Sequence, residues 1–351
     1  MKKLFFTLAF VLSVAPAFTQ NIFIANSNTG AVGGTNVFTG ANSINAALVP
    51  AVTGDIIYVV PSSVVYNTPS LNGEGVSLIG GGFNPDKSGG ALSVLASVIA
   101  NANNVRLSGL VINQEVNFSG SFSNIMIDKC RVKYLFEGNS QVLGNLIIQN
   151  CIVGENHTSS SAFYLQGASS NIKISNNIIY CANTTSAVIS GLNAATIENN
   201  VFIGFTSGGS ASVFNNVTNC NIKNNIFYAS TPAGSGTFSG NDLQNNLSYS
   251  TSNDIFSTVN GNISSNNVEG QNPLFTDLPF GTTFSFSYNL ILQAGSLAIG
   301  SGLDGIDMGV FGGANPYDVY GTSLPIVQTI TAPNTVTQGT NMNVRIEAKG
   351  N

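Results

Sequence analysis

Tryptophan is absent, histidine occurs once, and Asp, Glu, Lys and Arg together supply only 8% of the 351 residues. A chain this short of titratable side chains has few ways to build an acid–base site. Lys and Arg number 11 against 16 acidic residues, a net charge of −5, with no basic run. That argues against a nucleic-acid partner, which needs a cationic footprint, and mildly disfavours anionic polysaccharides. Beyond the N-terminal leader no stretch is apolar for the ~20 residues a bilayer span requires, so no membrane span is expected. No long segment keeps a 3.6-residue apolar period, and leucine does not recur at several fixed offsets, which sets aside helical and leucine-rich repeats. A Cys-x-x-Cys pair, clustered histidine, a Gly-x-Ser-x-Gly elbow, a Walker loop and an EF-hand loop are all lacking.

What the chain does have is glycine (38 residues), asparagine and serine, set around a phrase that returns: aliphatic, polar, Asn, Asn, aliphatic. Clear copies are Ile174-Ser175-Asn176-Asn177-Ile178, Ile197-Glu198-Asn199-Asn200-Val201 and Ile222-Lys223-Asn224-Asn225-Ile226. Taking the fourth residue as an anchor gives Leu110, Cys130, Cys151, Asn177, Asn200, Asn225, Asn246 and Asn267. Their spacings are 20, 21, 26, 23, 25, 21 and 21 residues. Repeats of this length, made of short apolar strands and Asn/Gly turns, mark a solenoid.

Three before the anchor stand Leu107, Ile127, Ile148, Ile174, Ile197, Ile222 and Leu243; two before stand Ser108, Asp128, Gln149, Ser175, Glu198, Lys223, Gln244 and Ser265. Strand alternation sends the first column into a core and the second to water. The residue after the anchor is again aliphatic in most coils (Val111, Ile152, Ile178, Val201, Ile226, Leu247, Val268) and reads as a second inward column. The first residue of the bend, Gly109 or Asn, suits left-handed backbone. The anchor accepts Leu, Cys or Asn but no charge, so it reads as interior. Stacked ~4.8 Å apart, Asn177, Asn200, Asn225, Asn246 and Asn267 would form a structural ladder of buried amides, each otherwise costing roughly 1–3 kcal/mol.

Met1-Lys2-Lys3, the apolar run to Val14 and the small-residue exit Ala15-Pro16-Ala17 read as a signal peptide over residues 1–19. Its loss would remove two positive charges and take the net charge from −5 to about −7. The chain is therefore expected to be exported, extracellular or at the cell surface. Residues 20–53 read as an N-terminal cap, with a short helix from about Ser43 to Val49 presenting Ile44, Ala47 and Leu48. Coils and a terminal cap span 54–322, and residues 323–351 read as a small C-terminal β appendage. Cys130 and Cys151 share the anchor column on adjacent coils, close enough for a disulfide. Their parallel Cβ vectors favour stacked buried thiols instead. Cys181 and Cys220 lie two coils apart and are not expected to pair.

The Asn-lined bend resembles the right-handed parallel β-helix of the pectate-lyase-like superfamily. The closing segment, with Asn272-Pro273-Leu274-Phe275, Ala294-Gly295-Ser296-Leu297-Ala298-Ile299-Gly300 and Asp307-Met308-Gly309-Val310-Phe311-Gly312-Gly313, is similar to that of secreted β-helix repeat proteins of Bacteroidetes-type bacteria. The opening Gly54-Asp55-Ile56-Ile57-Tyr58-Val59 resembles their first coil. The repeats predict one all-β solenoid of about 11 or 12 coils, and the resemblance, with the general crossover preference, implies that it is right-handed. Such a fold carries lyases, hydrolases, adhesins and passive shafts alike.

For a lyase of this fold the resemblance implies a Lys or Arg base with carboxylates, and calcium enters only in that case. The one dense charge cluster offers Lys129 or Arg131 as base with Asp128 orienting it; a solvated face explains the same residues more simply. Asp304 and Asp307 form the closest acidic pair, in a Gly-rich turn where Asp caps its own backbone. His157 stands in a polar bulge. Tyr164, Tyr180, Phe202, Phe227, Tyr228 and Tyr249 offer rings for sugar stacking, although several must belong to the core. Two functions result. One is a non-catalytic exported β-helix, without cofactor, that binds extracellular polysaccharide or builds a cell-surface structure. The other is a polysaccharide-degrading lyase or glycoside hydrolase. The sparse charge favours the first.

Overall fold

The chain turns twice per coil at residues held in the left-handed region. The first bend carries Gly109, Lys129, Asn150, Asn176, Asn199, Asn224, Asn245 and Asn266, with φ between 51° and 66°. The second lies five residues ahead of these, at Asn104, Asn124, Asn145, Asn171, Ala194, Asn219, Gly240 and Gly261, with φ between 52° and 76°. Asparagine and glycine enter this region at the least cost. The computed structural model describes residues 20–349 except 88–89, 138–140, 156–160, 168, 182–186, 205–211, 250–252, 280–284, 323, 332, 334–341 and 343. The signal-peptide segment 1–19, His157 and the side chain of Cys181 lie outside the described residues.

Between the bends run short parallel strands, stacked into a 12-stranded and a 13-stranded sheet. The whole is all-β, 3% helical, a single parallel β-solenoid of about 9 turns, consistent with a right-handed parallel β-helix. That is fewer turns than the sequence spacing predicts. Near the N-terminus the second face pairs through two isolated bridges, Tyr66 with Leu95 and Ser70 with Ile99, in place of full strands. The helix Ser43–Leu48 packs on strands Ile22–Asn26 and Val37–Thr39, with Ile44 and Ala47 fully buried against the open end of the core. At the other end Phe256 sits edge-on against Phe227. Strands Ile326–Thr331 and Arg345–Lys349 form a separate antiparallel pair.

The inward column stays in register from coil to coil, Leu107, Ile127, Ile148, Ile174, Ile197, Ile222 and Leu243, and every member is fully buried. Each contributes about 1.5–3 kcal/mol by leaving water. Phe202 and Phe227 stack across the core from the second sheet at 4.8 Å. The anchors Asn177, Asn200, Asn225 and Asn246 are also fully buried. Each Nδ2 donates to the next Oδ1: Asn177 to Asn200, Asn200 to Asn225 and Asn225 to Asn246 at 3.0 Å, and Asn246 to Asn267 at 3.1 Å. The same Oδ1 atoms accept the anchor backbone N–H of the preceding coil. Below the asparagines, Cys130 and Cys151 are buried thiols, and burial pushes the Cys130 thiol up to about 12.

The column after the anchor departs from expectation. Val111, Ile152, Ile178, Val201, Ile226 and Leu247 are buried in a cluster separate from the interior, together with Leu290, Ala298, Met308, Val310 and Tyr317. Because the anchor itself points inward, alternation sends the next side chain outward. These residues are aliphatic because the C-terminal segment covers them.

Candidate functional site

That covering segment is a strap. Residues 298–322 run back along the outside of the first bend, opposite to the direction in which the coils grow. Asn245 Nδ2 donates to Ser301 O, and Leu303 N donates to Asn224 Oδ1. Asn199 Nδ2 reaches Asp307 O, and Asn176 Nδ2 reaches Val310 O and Gly312 O. Asp318 N donates to Asn150 Oδ1, and Phe83 N donates to Gly321 O. Left-handed backbone at each bend turns these amides outward, where they hold the strap. The approach is close: a Cβ at Gly312 would come within 2.5 Å of Asn199 Nδ2 on the bend.

The three residues proposed as lyase machinery sit on this scaffold but do not converge. Asp128, almost fully buried, faces outward on the first sheet, paired with Arg106 at 3.4 Å and accepting from Gln149 Nε2 at 3.2 Å. Lys129 occupies the bend and is held by the strap, 3.0 Å from Asp318 Oδ2 and 3.1 Å from Thr322 O. Arg131 begins the next strand, pairs with Glu155 at 2.6 Å and lies 5.5 Å over the Phe286 ring. Each cation is engaged by a partner of its own. Asp307 Oδ1 accepts Gly300 N–H at 2.8 Å, whereas Asp304 is exposed with φ 64°. Among the proposed stacking rings, Phe202 and Phe227 are core, and Tyr180 and Tyr228 are buried with the strap-side cluster. Tyr164 and Tyr249 are half-buried.

A different set of residues surrounds a cavity of about 460 Å³ between strap and first sheet. Its coil wall is Lys173, Glu198 and Lys223 with the bend residues Asn176, Asn199 and Asn224; its strap wall includes Leu303, Asp304 and Asn315. Lys173 Nζ lies 2.6 Å from Glu198 Oε1 and Lys223 Nζ lies 3.2 Å from Oε2. Burial alone would raise the Glu198 carboxyl; the hydrogen bonds and charges of the two lysines outweigh it and hold the group below the usual carboxylate range. Glu198 is therefore an anion at neutral pH, unsuited to deliver a proton. Each ammonium has three N–H groups and commits one to this pair. Among the described residues no three His, Cys, Asp or Glu side chains are placed to hold a metal ion.

Glu198 and Lys223 are in the outward polar column of the sequence, and Lys173 lies four before its anchor, so their common face is legible there. Their partner wall is not, since only the fold brings 303–315 against them. No known protein family matches the chain, and no curated protein is significantly similar to it. The fold thus defines a parallel β-solenoid, and the likeness of its closing segment to Bacteroidetes-type secreted proteins has no support from these comparisons.

Proposed function

We propose that the chain is an exported, non-catalytic β-helix protein that binds extracellular or cell-surface carbohydrate in the cavity between the strap and the first sheet. The supporting observation is the pair of contacts that fixes Glu198 between Lys173 and Lys223 on the cavity wall. A fixed carboxylate beside ammonium groups with uncommitted N–H donors matches the mixed donors and acceptors of sugar hydroxyls. The two lysines hold Glu198 ionised, which suits it to accept hydrogen bonds from a sugar and not to deliver a proton. The leader-like first residues support export.

The test is a screen of plant and algal polysaccharides that reads both retention and release of unsaturated products. Retention without products is expected, weakened about tenfold or more in Glu198→Gln and Lys223→Met. Turnover on an acidic glycan that disappears in both Lys129→Ala and Arg131→Ala, with the fold intact, would replace this reading by a lyase.

A further inference from the structure

A second cavity, of about 120 Å³, opens on the other side of the strap against the second sheet. Its walls include Phe286, Tyr288, Phe311 and Tyr317, over a floor of Ile178 and Leu290. Ile178 and Leu290 are buried and belong to the strap-side cluster; Ile178 is fixed by a solenoid strand and Leu290 by the antiparallel strand Asn289–Leu292.

Several polar groups at its edge are engaged elsewhere, which leaves mainly the Tyr288 and Tyr317 hydroxyls and the Asn289 amide N–H in its lining. Asn84 donates to Val319 O and accepts from Asp86 N; Asn289 Oδ1 accepts from Ile291 N; Ser285 Oγ is 2.7 Å from Ser287 Oγ. A sugar placed here would surrender more bonds to water than these few groups replace, at a cost of about 1–3 kcal/mol for each hydroxyl left unpaired. A quaternary ammonium would find aromatic faces, the usual attraction for such a group. One of those rings, however, already carries the Arg131 guanidinium at 5.5 Å, and a second cation on Phe286 would meet like charge. Among the described residues no charged side chain lines the cavity. The volume is close to the ~150 Å³ of an apolar cavity that accepts benzene.

We propose that this cavity binds one neutral, benzene-sized ring, aromatic and carrying at most one hydroxyl, as in a phenol. The site is independent of the glycan-binding cavity, and either can fail without the other.

The probes are phenol, toluene, methyl glucoside and tetramethylammonium, titrated into the full chain by NMR. Phenol and toluene are expected to shift Ile178 and Leu290 methyl resonances saturably, whereas methyl glucoside and tetramethylammonium leave them unmoved. Ile178→Phe fills the floor and should weaken phenol binding about tenfold or more, with the far-ultraviolet circular dichroism unchanged. Phe311→Leu, which removes one wall from the strap, is the second variant and should weaken binding severalfold, so that a misfolded Ile178→Phe protein does not decide the matter. Absence of saturable phenol or toluene binding, stronger shifts with the sugar or the ammonium, or binding indifferent to both substitutions would each overturn the proposal.

Discussion

Asn200 accepts two N–H groups from Asn177 and donates to Ile174 O, Glu198 O and Asn225 Oδ1, all within 2.9–3.0 Å. Asn200→Asp would place a charge against three acceptors and is expected to cost about 3 kcal/mol or more at neutral pH. Asn200→Leu leaves partners unsatisfied without adding charge and should cost about 1–3 kcal/mol. Urea midpoints rank the two, and an Asp variant as stable as wild type would mean that this column is wet. Glu137 gives a pH-dependent counterpart. It is fully buried; Oε1 accepts from Ser169 at 2.9 Å while Oε2 has no partner among the described residues. Burial raises its carboxyl above the ordinary 4.5, against the opposing bonds of Ser169 and Gly167. Below the unfolded-state value both states keep the proton and Glu137→Gln should match wild type. As pH rises the unfolded chain releases the proton first, so the wild type loses stability until the folded group has also ionised. Glu137→Gln is expected to melt higher than wild type at neutral pH and equally at pH near 4, in paired melts across that range.

The bends and strands owe their placement to short-range rules, and the strap owes its own to long-range amide contacts. Asn150→Gly removes the acceptor of Asp318 N–H and Asn224→Gly that of Leu303 N–H, while glycine keeps the left-handed bend. Each should speed hydrogen exchange of its own strap amide about tenfold or more, with the ladder amides of Asn177 and Asn200 still slow. Unchanged exchange would show that apolar cover alone holds the strap. The inward column, the polar column and the anchors were legible because each obeys one local period. The second bend is equally legible: Asn104, Asn124, Asn145, Asn171, Ala194, Asn219, Gly240 and Gly261 keep the anchor spacing six residues earlier. The outward column was misassigned because aliphatic character reports burial without reporting which side does the burying. Nothing local in Gly300–Gly313 says that it returns to Asn176 and Asn199, so the cavity beside Glu198 needed the fold.

Solenoid coils contact chiefly their neighbours, and such arrays can lose cooperativity. Here the strap joins the coil of Leu247 to that of Phe83, tying distant coils into one unit. Wild type should therefore unfold calorimetrically in a single transition, with matching van't Hoff and calorimetric enthalpies. The double variant Asn150→Gly/Asn224→Gly should let the two diverge; a wild-type mismatch of the same size would show that the strap does not couple the coils. The direction of the strap also sets a schedule. Coils stack as they are synthesised, from Ile22 onward, but the outward column of Val111, Ile152, Ile178, Val201 and Ile226 waits for chain made last. From Leu247 the chain needs 75 more residues to reach Thr322, roughly 4–15 s of synthesis at ~5–20 residues per second. Through that interval a chain that folds as it emerges carries a stacked core and an uncovered apolar flank, the stage at which a chaperone has most to hold.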